Sequence, residues 1–191
     1  MQGRASTITD LGDGTVLRVG GKAEREAQIM AHARAHGFPV PLVHEIRGDG
    51  MVLERIDGPT MGQHLARHPW LLPRYVRVLA DLHARLHEIP FETAWLVHYD
   101  LHPQNVLLGR DGPIVIDWTN AHAGSPDADL AMTWLIAVTS AGLPGRIAGR
   151  TFRSQVGRDP ILRGLAAATR FRLADPNVTP SEKERARRVV P

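Results

Sequence analysis

Cysteine is absent from this 191-residue chain, which excludes disulfides, thiolate zinc sites and a cysteine nucleophile. No apolar run approaches the roughly 18 uninterrupted residues that a membrane span requires, and the first residues lack the basic-then-apolar order of a secretory leader. The expected location is cytoplasmic, with no membrane partner. Repeats and low-complexity tracts are missing too. There is no excess of acid: 23 Lys and Arg stand against 20 Asp and Glu, for a net charge of +3. The positive charge comes mainly from arginine, spread along the chain and densest in Glu184-Arg185-Ala186-Arg187-Arg188. Such a surface suits anionic ligands such as nucleotides and gives little help in holding polycations.

What is present argues for a folded α+β protein. The apolar share is 43%, and the length allows one good core or two small lobes sharing a cleft. Thr7 to Asp10 and Thr15 to Val19 read as strands of a hairpin turning at Asp13-Gly14. Lys22 to His36 reads as a helix stopped by Gly37. Pro39 and Pro41 open an extended segment that turns at Gly48-Asp49-Gly50 into Met51 to Glu54. Glu54-Arg55-Ile56-Asp57-Gly58 then leaves this small sheet, so lobes of 1–57 and 58–191 are expected. Val76, Leu79, Leu82 and Leu86 recur at helical spacing between Pro73 and Glu88. Ser125 and Pro126 open a helix to about Ala141, with Leu130, Trp134, Leu135 and Val138 as its expected core face. Three more helices are expected over Pro144–Gln155, Pro160–Leu173 and Pro180–Val189, the last behind a capping box of Thr179 and Glu182.

The chemistry lies in His98-Tyr99-Asp100-Leu101-His102-Pro103-Gln104-Asn105 and in Ile114-Val115-Ile116-Asp117-Trp118, with Asp117 twelve residues beyond Asn105. Between them, Val106 to Leu108 and Pro113 to Asp117 flank a glycine-bearing turn, and such a hairpin returns Asp117 to the side of Asn105. Phosphoryl transfer needs a carboxylate to orient the accepting hydroxyl and oxygen ligands for Mg²⁺. Asp100 suits the first role, while the carboxamide of Asn105 and the carboxylate of Asp117 suit the second. Singly, these residues could cap a turn, fill a loop and end a strand, but those readings leave the joint spacing unexplained. Histidine pairs one helical turn apart, His32/His36, His64/His68 and His83/His87, have zinc-ligand spacing. None has the glutamate beside the first histidine that a zinc hydrolase of the His-Glu-x-x-His type uses, so packing and solvation are the expected roles.

At these residues the chain resembles the aminoglycoside phosphotransferase family, the branch of the kinase-like fold that includes choline kinases. Leu82-His83-Ala84-Arg85-Leu86-His87 is similar to the family's leucine-histidine helix motif. Gly124-Ser125-Pro126-Asp127-Ala128-Asp129-Leu130-Ala131 is similar to its signature after the metal aspartate, which makes Asp129 the implied anchor of the catalytic loop. Asp13 to Val19 resembles the family's third strand, with Arg18 as the phosphate-reaching cation. Glu26 resembles the helix glutamate that aims this cation, with Glu24 as the fallback. The family commonly has Gly where this chain has Tyr99, and of the glycine-rich phosphate loop only Gly3 remains, in Gly3-Arg4-Ala5-Ser6-Thr7. Ten residues separate His87 from His98, where many relatives carry a longer helical insertion.

The resemblance therefore implies a bilobal kinase-like fold, in a short or trimmed member, that uses ATP and Mg²⁺ to phosphorylate a hydroxyl of a small molecule. In it, Gly3 and Ser6 would cover the phosphates, Arg18 and Glu26 would steady them, and backbone at Leu53, Glu54 and Ile56 would hold adenine. The expected partners are a nucleotide and a hydroxyl acceptor, without nucleic acid, and a second copy that could complete the thin N-terminal sheet. The alternative is a catalytically weak or inactive nucleotide-binding module of the same fold.

Overall fold

The computed structural model describes residues 7–140 and 142–189. Strands β1 (Thr7–Asp10) and β2 (Thr15–Val19) form a hairpin. The Asp10 carboxylate accepts the Gly12 N–H and the Asp13 carboxylate accepts the Thr15 N–H, so side chains satisfy the backbone of the turn. Helix α1 (Ala23–Ala35) follows, then β3 (Val43–Arg47) and β4 (Gly50–Glu54), giving an antiparallel sheet in the order β1-β2-β4-β3. Its register sets one face of the cleft described below. Arg18 lies opposite Ile8 and Met51, and Val16 lies opposite Leu53. The period-2 pleat therefore brings all five side chains to the same side.

Helix α2 (Met61–Arg67) starts at Thr60, whose hydroxyl accepts the Gln63 N–H while the Gln63 side chain accepts the Thr60 N–H. This reciprocal pair satisfies two otherwise orphaned donors. Helix α3 (Leu72–Leu86) buries Val76, Leu79, Leu82 and Leu86, the expected stripe, together with Tyr75 and His83. Two short strands, β5 (Pro90–Phe91) and β6 (Ala94–Val97), pair with each other. The hairpin β7 (Val106–Gly109) and β8 (Gly112–Val115) follows. Strand β9 (His122–Gly124) then returns to pair with β6. Helices α4 (Pro126–Ser140), α5 (Gly142–Val156), α6 (Arg158–Ala174) and α7 (Pro180–Val189) complete the chain.

One apolar core runs from α1 and β4 through α3 to the hairpin and Trp118, and a second lies among Val97, Tyr99, α4 and α6. The expected face of α4 needs correction. Leu135 is buried, but Leu130, Trp134 and Val138 are only partly so, and Ala128, Ala131, Met132, Ile136 and Thr139 are buried instead. The cause is that α4 packs against α5, α6 and α7, so its buried face is broader than one stripe, while Leu130 and Trp134 pack against the first core from its margin. Gly164 of α6 sits where an added Cβ would lie 2.0 Å from the Asp127 carbonyl oxygen.

Gly58 is under the same constraint at the exit from the sheet. Its φ is +150°, and an added Cβ would stand 2.1 Å from the Leu108 carbonyl oxygen. Gly58→Ala is therefore expected to cost about 1–3 kcal/mol, read as a lower urea midpoint with unchanged slope.

Candidate active site

Strand β6 delivers the chain to His98, and the loop that follows is held from beneath. The Asp129 carboxylate, in the first turn of α4 and fully buried, accepts the His98 N–H at 3.2 Å and the Tyr99 N–H at 2.7 Å. His87 Nε2 donates to it at 2.9 Å, and His83 Nδ1 lies 3.4 Å away. Burial alone would raise the Asp129 carboxyl. The neighbouring His83 and His87 and their hydrogen bonds outweigh that and hold it well below the usual carboxylate range. His83, His87 and Asp129 have metal-ligand spacing; in this structure Asp129 braces the loop after β6 directly and His87 donates to Asp129. His83 Nε2 meets the Thr133 hydroxyl at 2.9 Å, and that hydroxyl donates to the Leu101 carbonyl at 2.7 Å.

Tyr99 takes a left-handed backbone, φ +61°, which explains why glycine is common there in the resembled family. Its ring packs edge-on against both His122 and Phe171, with centroids 4.5 and 4.9 Å away. Burial, and then the Asp129 charge, push the Tyr99 phenol upward. His98 Nε2 donates to the Ile116 carbonyl at 3.2 Å and so ties this loop to the strand end just before Asp117. Burial lowers the His98 imidazole despite the surrounding aspartates, which keeps it neutral.

The Asn105 side chain is oriented by Asp100. Its Nδ2 donates to the Asp100 backbone carbonyl at 2.9 Å and to Asp100 Oδ2 at 3.0 Å, leaving the carboxamide oxygen available to a cation. His102 Nε2 stands 3.4 Å from Asp100 Oδ1. The hairpin behaves as its sequence demands: the Ile116 N–H donates to the Asn105 carbonyl at 3.0 Å, which places Asp117 beside Asn105. Asp117 is itself left-handed, φ +62° and ψ +68°, and Trp118 after it is buried, its indole N–H on the Val115 carbonyl.

Arg18 joins this strand end to α1. Its Nη1 donates to Glu26 Oε2 at 2.6 Å, and its Nη2 donates to Asp117 Oδ1 at 3.1 Å and to the Thr119 hydroxyl at 2.8 Å. Glu26 is 2% exposed, whereas Glu24 is exposed and takes no part. The Thr119 hydroxyl also faces Asp117 Oδ1 at 2.9 Å and Glu26 Oε1 at 3.2 Å. It has one proton, and the shorter contact makes Asp117 its acceptor.

A cleft of about 250 Å³ lies over these groups. Its apolar walls include Ile8, Val16, Met51 and Leu53 from the sheet and Leu107 and Ile116 from the hairpin, while Arg18, Asn105 and Asp117 form its polar end. Leu53, Glu54 and Ile56 all line it. Part of the backbone expected to hold adenine is already paired. The Glu54 N–H donates to the Leu42 carbonyl and the Arg55 N–H to the Gly14 carbonyl, because the sheet extends further than the sequence suggests. Among the described residues the Ile56 N–H makes no such bond, so it is the donor left to the cleft. Gly3 and Ser6 lie outside the described residues.

The structure thus forms two hydrogen-bonded groups, Asp100–Asn105 and Asp117–Arg18–Glu26, held side by side by the backbone bond from Ile116 to Asn105. Sequence reasoning missed Thr119, and it gave His98, His87 and His102 no place in the hydrogen-bonded frame. For Thr119 the only available signal was its position two residues beyond Asp117.

A sequence model of the phosphotransferase enzyme family matches residues 92–168. A probable bifunctional tRNA threonylcarbamoyladenosine biosynthesis protein of Methanoculleus marisnigri is 27% identical over 128 residues, covering 59% of this chain and 22% of the relative. A probable serine/threonine-protein kinase BUD32 homolog of Archaeoglobus fulgidus is 27% identical over 97 residues, covering 51% of this chain and 44% of the relative. The chain thus spans less than half the length of these curated relatives. Among solved structures, a thermostable mutant of aminoglycoside phosphotransferase APH(4)-Ia, in a ternary complex with AMP-PNP and hygromycin B, superposes with a TM-score of 0.71 at 15% identity. That match covers 97% of this chain and 92% of the other. The fold is the kinase-like fold of that protein.

Proposed function

We propose that this chain, a member of the phosphotransferase enzyme family over residues 92–168, moves the γ-phosphoryl group of ATP to a hydroxyl of a small molecule. The observation that carries the proposal is the group Asp117–Arg18–Glu26 together with Asn105 at the polar end of an apolar cleft, Asn105 being hydrogen-bonded in turn to Asp100. ATP supplies the phosphoryl group; the Asn105 oxygen and the Asp117 carboxylate would hold Mg²⁺, which when bound would supply charge neutralisation on the phosphates. Both oxygens fit that use, since Asn105 spends its amide protons on Asp100 and Asp117 keeps a part-exposed carboxylate.

Asp100 orients the accepting hydroxyl and takes its proton as the new P–O bond forms and the bond to ADP breaks. Arg18 steadies phosphate oxygens from the sheet and Glu26 keeps its guanidinium aimed. Ile8, Val16, Met51 and Leu53 enclose the adenine ring, and the Ile56 N–H, with Leu53 and Glu54 beside it, reads its edge. The lobes 1–57 and 58–191 serve nucleotide and acceptor, respectively.

The test is incubation with Mg²⁺-ATP and a library of hydroxyl compounds. ADP should accumulate above an Asp117→Ala control, whose turnover is expected to fall at least about 100-fold. Thermal stabilisation by Mg²⁺-ATP without turnover would favour a nucleotide-binding module instead. A second reading places the hydroxyl on a protein serine or threonine. It is supported by the short passage from α3 through β5 and β6 to the catalytic loop, only ten residues between His87 and His98, which leaves the acceptor side without a long insertion. Transfer of labelled phosphate to a protein substrate, with no small molecule accepted, would favour it.

A further inference from the structure

Behind the metal hairpin lies a surface that the phosphotransferase reading does not use. Leu107 of β7 lines the nucleotide cleft, whereas its neighbour Leu108 lines a separate depression of about 360 Å³ on the reverse face. Its walls include His64, Arg74 and Tyr75, with Gly109 and Gly112 of the hairpin turn on the far side.

Four aromatic rings run outward from this depression. The Tyr75 hydroxyl meets His64 Nδ1 at 2.7 Å, with ring centroids 5.9 Å apart. His64 stacks on His68 at 4.3 Å and 24° between planes, and His68 meets Trp70 edge-on at 5.2 Å. Trp70 ends the series 70% exposed. The charge around the rings has one sign. Between Asp57 and Asp81 the chain has no carboxylate but carries Arg67, Arg74 and Arg77, and among the described residues none of the three is in an ion pair. Across the depression, the hairpin turn contributes Arg110 next to the single carboxylate of Asp111.

We propose that this face binds single-stranded nucleic acid, with a base stacked on Trp70, a neighbouring base in the depression, and phosphates on Arg67, Arg74 and Arg77. Flat π-faces set among unpaired cations fit a strand that alternates planar bases with anionic phosphates. A lipid surface would call for several protruding apolar side chains, and Trp70 is the single exposed large one in this segment. An acidic peptide would satisfy the arginines but leave the ring series without a partner. The proposal departs from the expectation, drawn from sequence, that nucleic acid is not a partner. It is also independent of the phosphotransfer reading, because it uses the opposite face of the hairpin.

The test is fluorescence anisotropy of a labelled oligoadenylate with the full chain, as single-stranded RNA, as single-stranded DNA and as an RNA duplex. Saturable binding of a single strand is expected, weaker for the duplex and falling steeply as salt rises. Binding should persist in excess Mg²⁺-ATP. Trp70→Ala should weaken it about tenfold without altering the melting temperature or ATP turnover. Arg74→Ala should weaken it and reduce the slope of log affinity against log salt by about one. The RNA and DNA arms show whether the 2′-hydroxyl is read. Unchanged affinity in both variants overturns the proposal. So does displacement by Mg²⁺-ATP, or loss of binding in an Arg187→Ala, Arg188→Ala double variant instead. Flotation with phosphatidylserine vesicles in the absence of oligonucleotide binding would assign the face to membranes and equally overturn it.

Discussion

Asp100→Asn should leave a folded protein that holds Mg²⁺-ATP with affinity changed less than about threefold and that turns over roughly 10²–10⁴ times more slowly. The fold survives because Asn105 Nδ2 donates to both the Asp100 backbone carbonyl and its side-chain Oδ2, and an asparagine still presents an oxygen at that point. What is lost is the ability to take a proton, since a carboxamide is not basic at neutral pH. Calorimetric titration with a non-hydrolysable nucleotide separates the two quantities, and acceptor-dependent ADP release measures the second. Undiminished turnover would remove Asp100 from the chemistry. The next candidate would be His102, whose Nε2 lies 3.4 Å from Asp100 Oδ1.

Asp129→Ala is expected to have the largest effect on stability, about 3–5 kcal/mol. The carboxylate is wholly buried and accepts two backbone N–H groups and the His87 imidazole, so its removal strands several buried donors together. The same carboxyl governs the acid limb. Its value in the folded chain lies well below the ordinary 3.8. The stability it contributes is therefore fully present above the unfolded value and is lost as pH falls below about 4 toward the folded one. Denaturant midpoints measured as the pH is lowered should fall more steeply in the parent chain than in the variant. Parallel curves would mean that Asp129 is not the group responsible.

Much of the site is legible in the sequence because its parts are local. The alternation of Thr15 to Val19 puts Val16 and Arg18 on one face, and the turn at Gly109 to Gly112 folds Asp117 back to Asn105 without help from elsewhere. Resemblance points to Glu26 rather than Glu24, and the distinction is one of helix phase: Glu26 lies on the buried side of α1 with Ala23, Ile29 and Met30. Helix α2 carried a readable signal in Thr60 and Gln63, three residues apart, although its bounds were not drawn from it. The pairing of β6 with β9 was not readable. Strands of four and three residues that meet across an intervening hairpin leave no periodicity long enough to detect. Thr119 has no such signal for a related reason, because a hydroxyl acquires its partners only when the sheet, α1 and the end of β8 have come together.

The guanidinium of Arg18, with the Thr119 hydroxyl beside it, links Glu26 on the helix of the first half to Asp117 in the second. Mechanical disturbance of α1 should thus travel through this small cluster to the candidate site. The packed side of that helix is built of small residues, Ala23, Ala27 and Ala33 among them, so it tolerates little added volume. Enlarging Ala27, the neighbour of Glu26, would tilt the helix, swing the arginine away from Asp117 and impair catalysis without altering any side chain that contacts a ligand.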